Sequence, residues 1–186
     1  MEYVLASASP RRKELLRYLV DSFTVAPTNC DESLPDGIGG AGAVELLSRR
    51  KAGACAEAYP DAVVIGCDTV VELDGQILGK PADKKDARRM LSLLSGKTHQ
   101  VYTGVCIIFQ NLAHTFHVCT DVTFVPLSEE QISAYLATGE PFDKAGAYGI
   151  QGYGCTLVCS IHGCYYSVMG LPVAALGEKL RELSLL

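Results

Sequence analysis

Three short segments carry side chains whose types and spacing could act on an anionic ligand. The first is Ser7-Ala8-Ser9-Pro10-Arg11-Arg12-Lys13. Ser9 is a good helix N-cap and Pro10 fits the first helical position, so a strand here feeds directly into a helix N-terminus. Three successive cations at the positive end of a helix dipole are unfavourable unless an anion such as phosphate completes the site. Taken alone, the segment fits an anion site and arginines extended into water equally well. The second is Ala62-Val-Val-Ile-Gly-Cys-Asp68-Thr-Val-Val71, where one carboxylate interrupts a run of the kind buried on both faces of a sheet. Such a carboxylate needs a metal ion or a hydrogen-bond network, and it suits a general base or metal ligand; the competing reading is a structural aspartate at a sheet edge. Leu78-Gly-Lys80-Pro-Ala-Asp83 lies close downstream and adds a lysine charge for phosphate and a second acid, which favours the functional reading. The third is Glu140-Pro-Phe-Asp143-Lys144-Ala-Gly-Ala-Tyr148-Gly-Ile-Gln151-Gly152. Its glycines would let backbone approach a ligand closely, although by itself it reads better as an ordinary turn-rich connection.

Elements must hold these segments, and the apolar periodicity supplies them. A strand over 3–6, a helix from 10 to about 19 and a strand over 22–26 form an opening β-α-β unit. A polar, glycine-rich stretch over 29–42 leads into a helix through Val44, Leu47, Ala52 and Cys55, and 62–73 reads as a buried strand. Asp74-Gly75 turns the chain into a hairpin return, and Asp83 opens a helix with Ala87, Met90, Leu91 and Leu94 on one face. Strands over 99–109 and 115–125 pair antiparallel across Gln110-Asn111. Ser128 and Gln131 form a capping box for a helix ending near Gly139, and a helix over 172–183 closes the chain. The pattern predicts an α/β fold with a mixed sheet flanked by helices, without internal repeats.

Size and composition bound the function. A chain of 186 residues with 48% hydrophobic content fills one core, so residues 1–186 are expected to form a single domain. Apolar runs stay well short of the roughly 20 residues that span a bilayer, and Met1-Glu2-Tyr3 carries no basic signal region, which predicts a soluble cytoplasmic protein without a membrane partner. A net charge of -5 speaks against a nucleic-acid surface. Local anion sites remain open at Arg11-Arg12-Lys13, Arg49-Arg50-Lys51, and Lys84-Lys85 with Arg88-Arg89. Of eight cysteines, Cys55, Cys67, Cys106, Cys119 and Cys159 sit in apolar runs and read as reduced core residues. Cys155, Cys159, His162 and Cys164 lack a Cys-x-x-Cys pair and the strand parity of a zinc set, so core packing is expected there too. Gly37-Ile-Gly39-Gly-Ala-Gly42 matches the dinucleotide-binding glycine spacing but follows a polar segment rather than a strand, and it reads as a loop. A Walker glycine loop and a Gly-x-Ser-x-Gly elbow are both missing from the sequence.

In this order the segments resemble the Maf family of nucleotide pyrophosphatases, and the resemblance runs from Leu5 to Pro172. It is carried by Ser7-Ala-Ser-Pro-Arg-Arg12-Lys-Glu-Leu-Leu16, Asp31-Glu32, Lys51-Ala52, Cys67-Asp-Thr-Val70, Gly79-Lys-Pro81, Leu94-Ser-Gly96 with His99-Gln-Val-Tyr-Thr-Gly104, and 143–152. The resemblance implies a mixed, curved sheet, a nucleotide cleft between two lobes, and a homodimer. It implies Asp68 as the catalytic base, Ser7, Arg11, Arg12, Lys51 and Lys80 on the triphosphate, and Glu32 and Asp68 near a divalent cation, Mg or Mn. Arg11, Thr69 and Gln151 match positions tied to base selection. The expected reaction is hydrolysis of pyrimidine nucleoside triphosphates to monophosphate and pyrophosphate, because 147–152 is similar to the branch acting on dTTP, UTP and modified pyrimidine nucleotides. The alternatives are the sister branch, which acts on 7-methylguanosine triphosphate, a non-catalytic nucleotide-binding regulator of cell division, and an interaction protein whose basic clusters bind an acidic partner. Cys164, Ser167 and Met169 depart from the more common Ser, Asn and Val.

Overall fold

In the computed structural model, which describes residues 1–186, the buried Val4-Leu5-Ala6 run makes strand β1 (Tyr3–Ala6). Helix α1 (Pro10–Leu16) follows directly, with the Ser9 hydroxyl accepting from Arg12 N at 3.4 Å. It ends about a turn earlier than its apolar pattern suggests, because Tyr18 N and Leu19 N donate three residues back, to Leu15 O and Leu16 O. Strand β2 (Thr24–Val25) is likewise shorter than expected. Then come α2 (Gly40–Ala56) and the long β3 (Val63–Leu73), which returns as β4 (Gln76–Leu78) through Asp74 and Gly75, both at positive φ. Helix α3 (Lys84–Leu94) starts at Asp83, whose carboxylate accepts from Asp86 N at 2.7 Å. Strands β5 (Thr98–Phe109) and β6 (Leu112–Phe124) pair along their whole length across Gln110 and Asn111, again at positive φ. The capping box opens α4 (Glu129–Ala137) as its sequence directs. Three short 3-10 turns over 140–156 lead to β7 (Val158–His162), α5 (Tyr165–Met169) and α6 (Val173–Glu182).

The seven strands form one mixed sheet in the order β2-β1-β3-β5-β6-β7, with β4 also on β3. Strand β1 is parallel to β2 and β3, and the remaining pairs are antiparallel. On the edge of β3 away from β5, β1 pairs with 63–66 and β4 with 71–73. Residues 67–70 are therefore unpaired on that edge, where β1 has already left the sheet for Ser7 and α1. This gap contains Asp68 and Thr69.

Alternation along β3 decides what covers each face. Val63, Ile65 and Cys67 join Leu15, Leu16, Leu176 and Leu180 in one apolar cluster, whereas Val64 packs with Ala52 and Cys55 of α2. Helix α2 comes unusually close because Gly66 and Gly104 lie beneath it: an added Cβ at Gly66 would overlap the Ser48 carbonyl and Ala52 N, and one at Gly104 the Val44 carbonyl. The close approach brings Lys51 down to the sheet gap. Gly104→Ala is accordingly expected to cost about 1–3 kcal/mol through overpacking. Thermal denaturation should show the melting temperature falling by roughly 2–12 °C; an unchanged Tm would mean that α2 does not depend on this glycine for its seat.

Cys55, Cys67 and Cys106 are buried as expected, but Cys119, Cys155 and Cys159 are exposed. On β6, Cys119 alternates with the buried Thr120, Val122 and Phe124 and so faces outward. Cys159 lies on the last strand of the sheet, and Cys155 belongs to a 3-10 turn rather than to a strand. For Cys119 and Cys159 parity and edge position put the thiols outside, whereas at Cys155 the expected strand is a 3-10 turn. No helix is long and apolar enough to cross a membrane.

Candidate active site

The gap in the sheet opens into a cleft of about 630 Å³ whose lining includes every site residue expected from sequence: Ser7, Arg11, Arg12, Glu32, Lys51, Asp68, Thr69, Lys80 and Gln151. One wall is the turn from β1 into α1, and the opposite one is the loop that includes Glu140, Asp143, Lys144 and 148–152. Five lysines and arginines line the cleft against four acids, in a chain whose net charge is -5. The cleft thus runs against the overall charge, as an anion site must.

Asp68 and Thr69 are consecutive on a strand and serve opposite faces. Asp68 turns toward α2, where its Oδ1 accepts from Lys51 Nζ at 2.5 Å. The same ammonium meets Glu32 Oε1 at 2.8 Å. Burial works against the charge on Lys51, but Asp68 and then Glu32 outweigh it and hold the ammonium above its ordinary range. The Lys51 hydrogen bond, opposed by partial burial, keeps Glu32 below the usual carboxylate range. The sequence required a partner for Asp68, and the partner is a lysine.

Thr69 turns to the other face, where its hydroxyl accepts from Arg12 Nη2 at 3.1 Å. Arg12 is gripped further by Nε donating to Gly170 O at 2.8 Å and Nη1 to Ser7 Oγ at 3.2 Å. Three of its five N–H groups are thereby used, leaving two for a ligand. Ser7 Oγ also accepts from Ser9 N at 3.3 Å, so its own proton remains to be donated. Arg11 lies 3.8 Å from Asp143 on the opposite loop. Lys80 and Gln151 are exposed at the cleft and carry no side-chain hydrogen bond within the protein.

Nothing in the sequence of the 140–152 loop distinguishes the parts that Glu140, Lys144 and Tyr148 take in it. The Glu140 carboxylate accepts from Tyr153 N at 2.9 Å and Gly154 N at 3.2 Å, and Lys144 Nζ donates to Glu140 O at 2.7 Å and Asp143 Oδ1 at 2.6 Å. These contacts fix the wall that faces α1. The charge pattern of the segment was visible, but a carboxylate bonding backbone 13 residues away leaves no signal in spacing. Behind the wall, fully buried His99 shares a 2.7 Å hydrogen bond between Nε2 and Tyr148 OH and stacks edge-on with Phe124.

Burial lowers the His99 pKa from 6.5 to about 4. The unfolded chain therefore binds the proton first, so stability is full above pH 6.5 and declines as the pH falls toward 4. The span corresponds to about 3 kcal/mol, to order of magnitude. His99→Gln, whose amide can either donate to or accept from Tyr148, is expected to flatten this part of the curve of denaturation midpoint against pH. An equally steep acid decline in the variant would assign it to other groups.

No cluster of three or more His, Cys, Asp or Glu side chains is placed to hold a metal by itself. What converges instead is the pair Glu32 and Asp68, whose oxygens both meet the Lys51 ammonium. Two hard carboxylates beside an anion cleft suit a Mg²⁺- or Mn²⁺-type ion that takes its remaining ligands from phosphate oxygens and water. Lys51 occupies one oxygen of each carboxylate, so the second oxygens are what this pair has to offer such an ion.

Comparison with known proteins gives a family model described as Maf-like protein that matches residues 2–183. A dTTP/UTP pyrophosphatase of Bacillus cytotoxicus is 48% identical over 97% of this chain and 95% of its own length. Proteins of the same name from Symbiobacterium thermophilum and Bacillus velezensis are 51% and 49% identical, over 97% and 98% of this chain and 93% and 96% of theirs. Among solved structures, the Staphylococcus aureus Ham1 protein aligns with a TM-score of 0.53 at 16% identity, covering 85% of this chain and 80% of that one. A HAM1 protein from Coxiella burnetii aligns at 0.54 and 13%, covering 98% and 99%. At such identities the likeness is one of fold.

Proposed function

The chain belongs to the Maf family, and from that premise we propose that it hydrolyses dTTP, UTP and related pyrimidine nucleoside triphosphates to the monophosphate and pyrophosphate. The relatives named dTTP/UTP pyrophosphatase match it at about half identity over nearly their full length. The observation that carries the reading at atomic level is the position of Asp68: a nearly buried carboxylate in the sheet gap, fixed through one oxygen by Lys51 and flanked by the phosphate-directed Arg12.

In the reaction, Asp68 accepts a proton from a water as that water attacks the α-phosphorus. The bond from the α-phosphorus to the bridging oxygen breaks, and pyrophosphate leaves with the electron pair. Ser7, Arg12, Arg11 and Lys80 bind the triphosphate, and Lys51 holds Asp68 and Glu32 in place while adding positive charge. Glu32 and Asp68 would hold a divalent cation, Mg or Mn, that neutralises phosphate charge when bound. Arg11, Thr69 and Gln151 select the base. We assign the enzyme to the cytoplasm as a homodimer with no nucleic-acid partner.

The test is product analysis with dTTP, UTP and 7-methylguanosine triphosphate, with and without magnesium or manganese. Metal-dependent pyrophosphate from dTTP and UTP is expected. Orthophosphate would move attack to the γ-phosphorus, turnover of the methylguanosine nucleotide alone would assign the sister branch, and binding without product would leave a regulator.

A further inference from the structure

Behind Thr69 lie the buried hydroxyls of Thr103, Thr120 and Ser167, to which the reaction assigns no part. Thr103 on β5 is fully buried and lies directly opposite Thr69 in the β3–β5 register. Its Oγ1 donates to the Ser167 carbonyl at 2.7 Å, and a carbonyl can only accept, so the Thr103 proton is committed. The 2.9 Å contact between Thr69 Oγ1 and Thr103 Oγ1 must then have Thr69 as donor. Thr69 is left with lone pairs only toward the cleft, and one of them accepts from Arg12 Nη2. The sequence of donations has a single direction: Arg12 to Thr69 to Thr103 to the Ser167 carbonyl.

The far end is anchored as well. Ser167 is fully buried, its carbonyl also accepts from Gly170 N at 2.9 Å, and its hydroxyl meets Thr120 Oγ1 at 2.9 Å. Gly170 O in turn accepts from Arg12 Nε. The C-terminal end of α5 thus holds the guanidinium twice, directly through Gly170 just past the helix and, from Ser167 within it, through the two threonines.

We propose that Thr103 is a positioning residue that aims Arg12 at the triphosphate by fixing the proton of Thr69. The proposal rests on Arg12 binding phosphate, as in the reading above. Without Thr103 the Thr69 proton loses its acceptor and is free to rotate toward the guanidinium, where it would oppose Nη2. The Ser at position 167 matters here through its main chain, and its side chain serves to pack that main chain against β6.

The primary readout is calorimetric binding of the non-hydrolysable analogue α,β-imido-dTTP, which does not depend on turnover. Thr103→Val is expected to weaken it about tenfold, with a matching rise in KM for dTTP and a smaller change in kcat. Thr103→Ser, which keeps the hydroxyl, is expected to restore binding to within about twofold, and Thr103→Cys, a weaker donor, is the second variant should valine prevent folding. In an Arg12→Lys background, which lacks the fork, Thr103→Val is expected to add little. Unchanged binding in a folded Thr103→Val or Thr103→Cys protein, or a full additive loss in the Arg12→Lys background, would overturn the proposal. Wild-type protein that binds the analogue but releases no pyrophosphate from dTTP would sink the hydrolytic reading and leave Thr103 to be judged on binding. Wild-type protein that fails to bind would remove Arg12 as a triphosphate ligand, and the role of Thr103 with it.

Discussion

Asp68→Asn is expected to lower the rate of pyrophosphate release from dTTP by a factor of about 10²–10⁴ while the protein still folds, as fits the loss of a general base. Asparagine matches aspartate in shape, and its amide oxygen can still accept from Lys51 Nζ, which Glu32 continues to pair. What disappears is the basicity at the sheet gap, so the loss should fall on kcat more than on KM. Steady-state kinetics with a melting curve on the same preparation would decide it. A variant that turns over at the wild-type rate would strip Asp68 of the catalytic part, and one that no longer melts cooperatively would make it a structural aspartate.

The location of Asp68 was legible because its context was anomalous: a lone carboxylate in Val-Val-Ile-Gly-Cys-Asp-Thr-Val-Val must be partnered if the run is buried, and the run is buried. The identity of the partner was not. Lys51 lies 17 residues earlier, on a helix whose distance from the sheet is set by Gly66 and Gly104, and no local pattern reports such a seat. Hairpins and caps were read well, since Asp74-Gly75, Asp83 and the Ser128–Gln131 box act within a few residues. The outward thiols Cys119 and Cys159 depart from the expected burial because apolar runs identify strands without saying which parity faces the core or which strand ends the sheet. Thr103 escaped for a related reason. A threonine inside a strand is ordinary by propensity, and only pairing with Thr69 makes its hydroxyl consequential.

Lys51 makes the strongest claim on stability. Its side chain and that of Asp68 are only 14% and 12% exposed, so Lys51→Met leaves a nearly buried carboxylate without its cation. Breaking such a pair from one side costs about 3 kcal/mol or more. For a chain of this length that is a fall in Tm of roughly 6–12 °C, and activity should drop with the loss of the group that orients Asp68. The effect should depend on pH in a definite way. Glu32 is held below its ordinary 4.5, so its contribution is present above that value and lost as the pH falls through the lower folded one. Lys51 is held above 10.5, so its contribution is present below that value and lost as the pH rises through the higher folded one. The stability gap between wild type and Lys51→Met should therefore be widest between about pH 5 and 10 and shrink at both ends. Adding Asp68→Asn to Lys51→Met removes the orphaned charge, and the double variant is expected to melt above Lys51→Met alone. A double variant that melts lower would show that the lysine stabilises the cleft by packing its methylene stem rather than by pairing with Asp68.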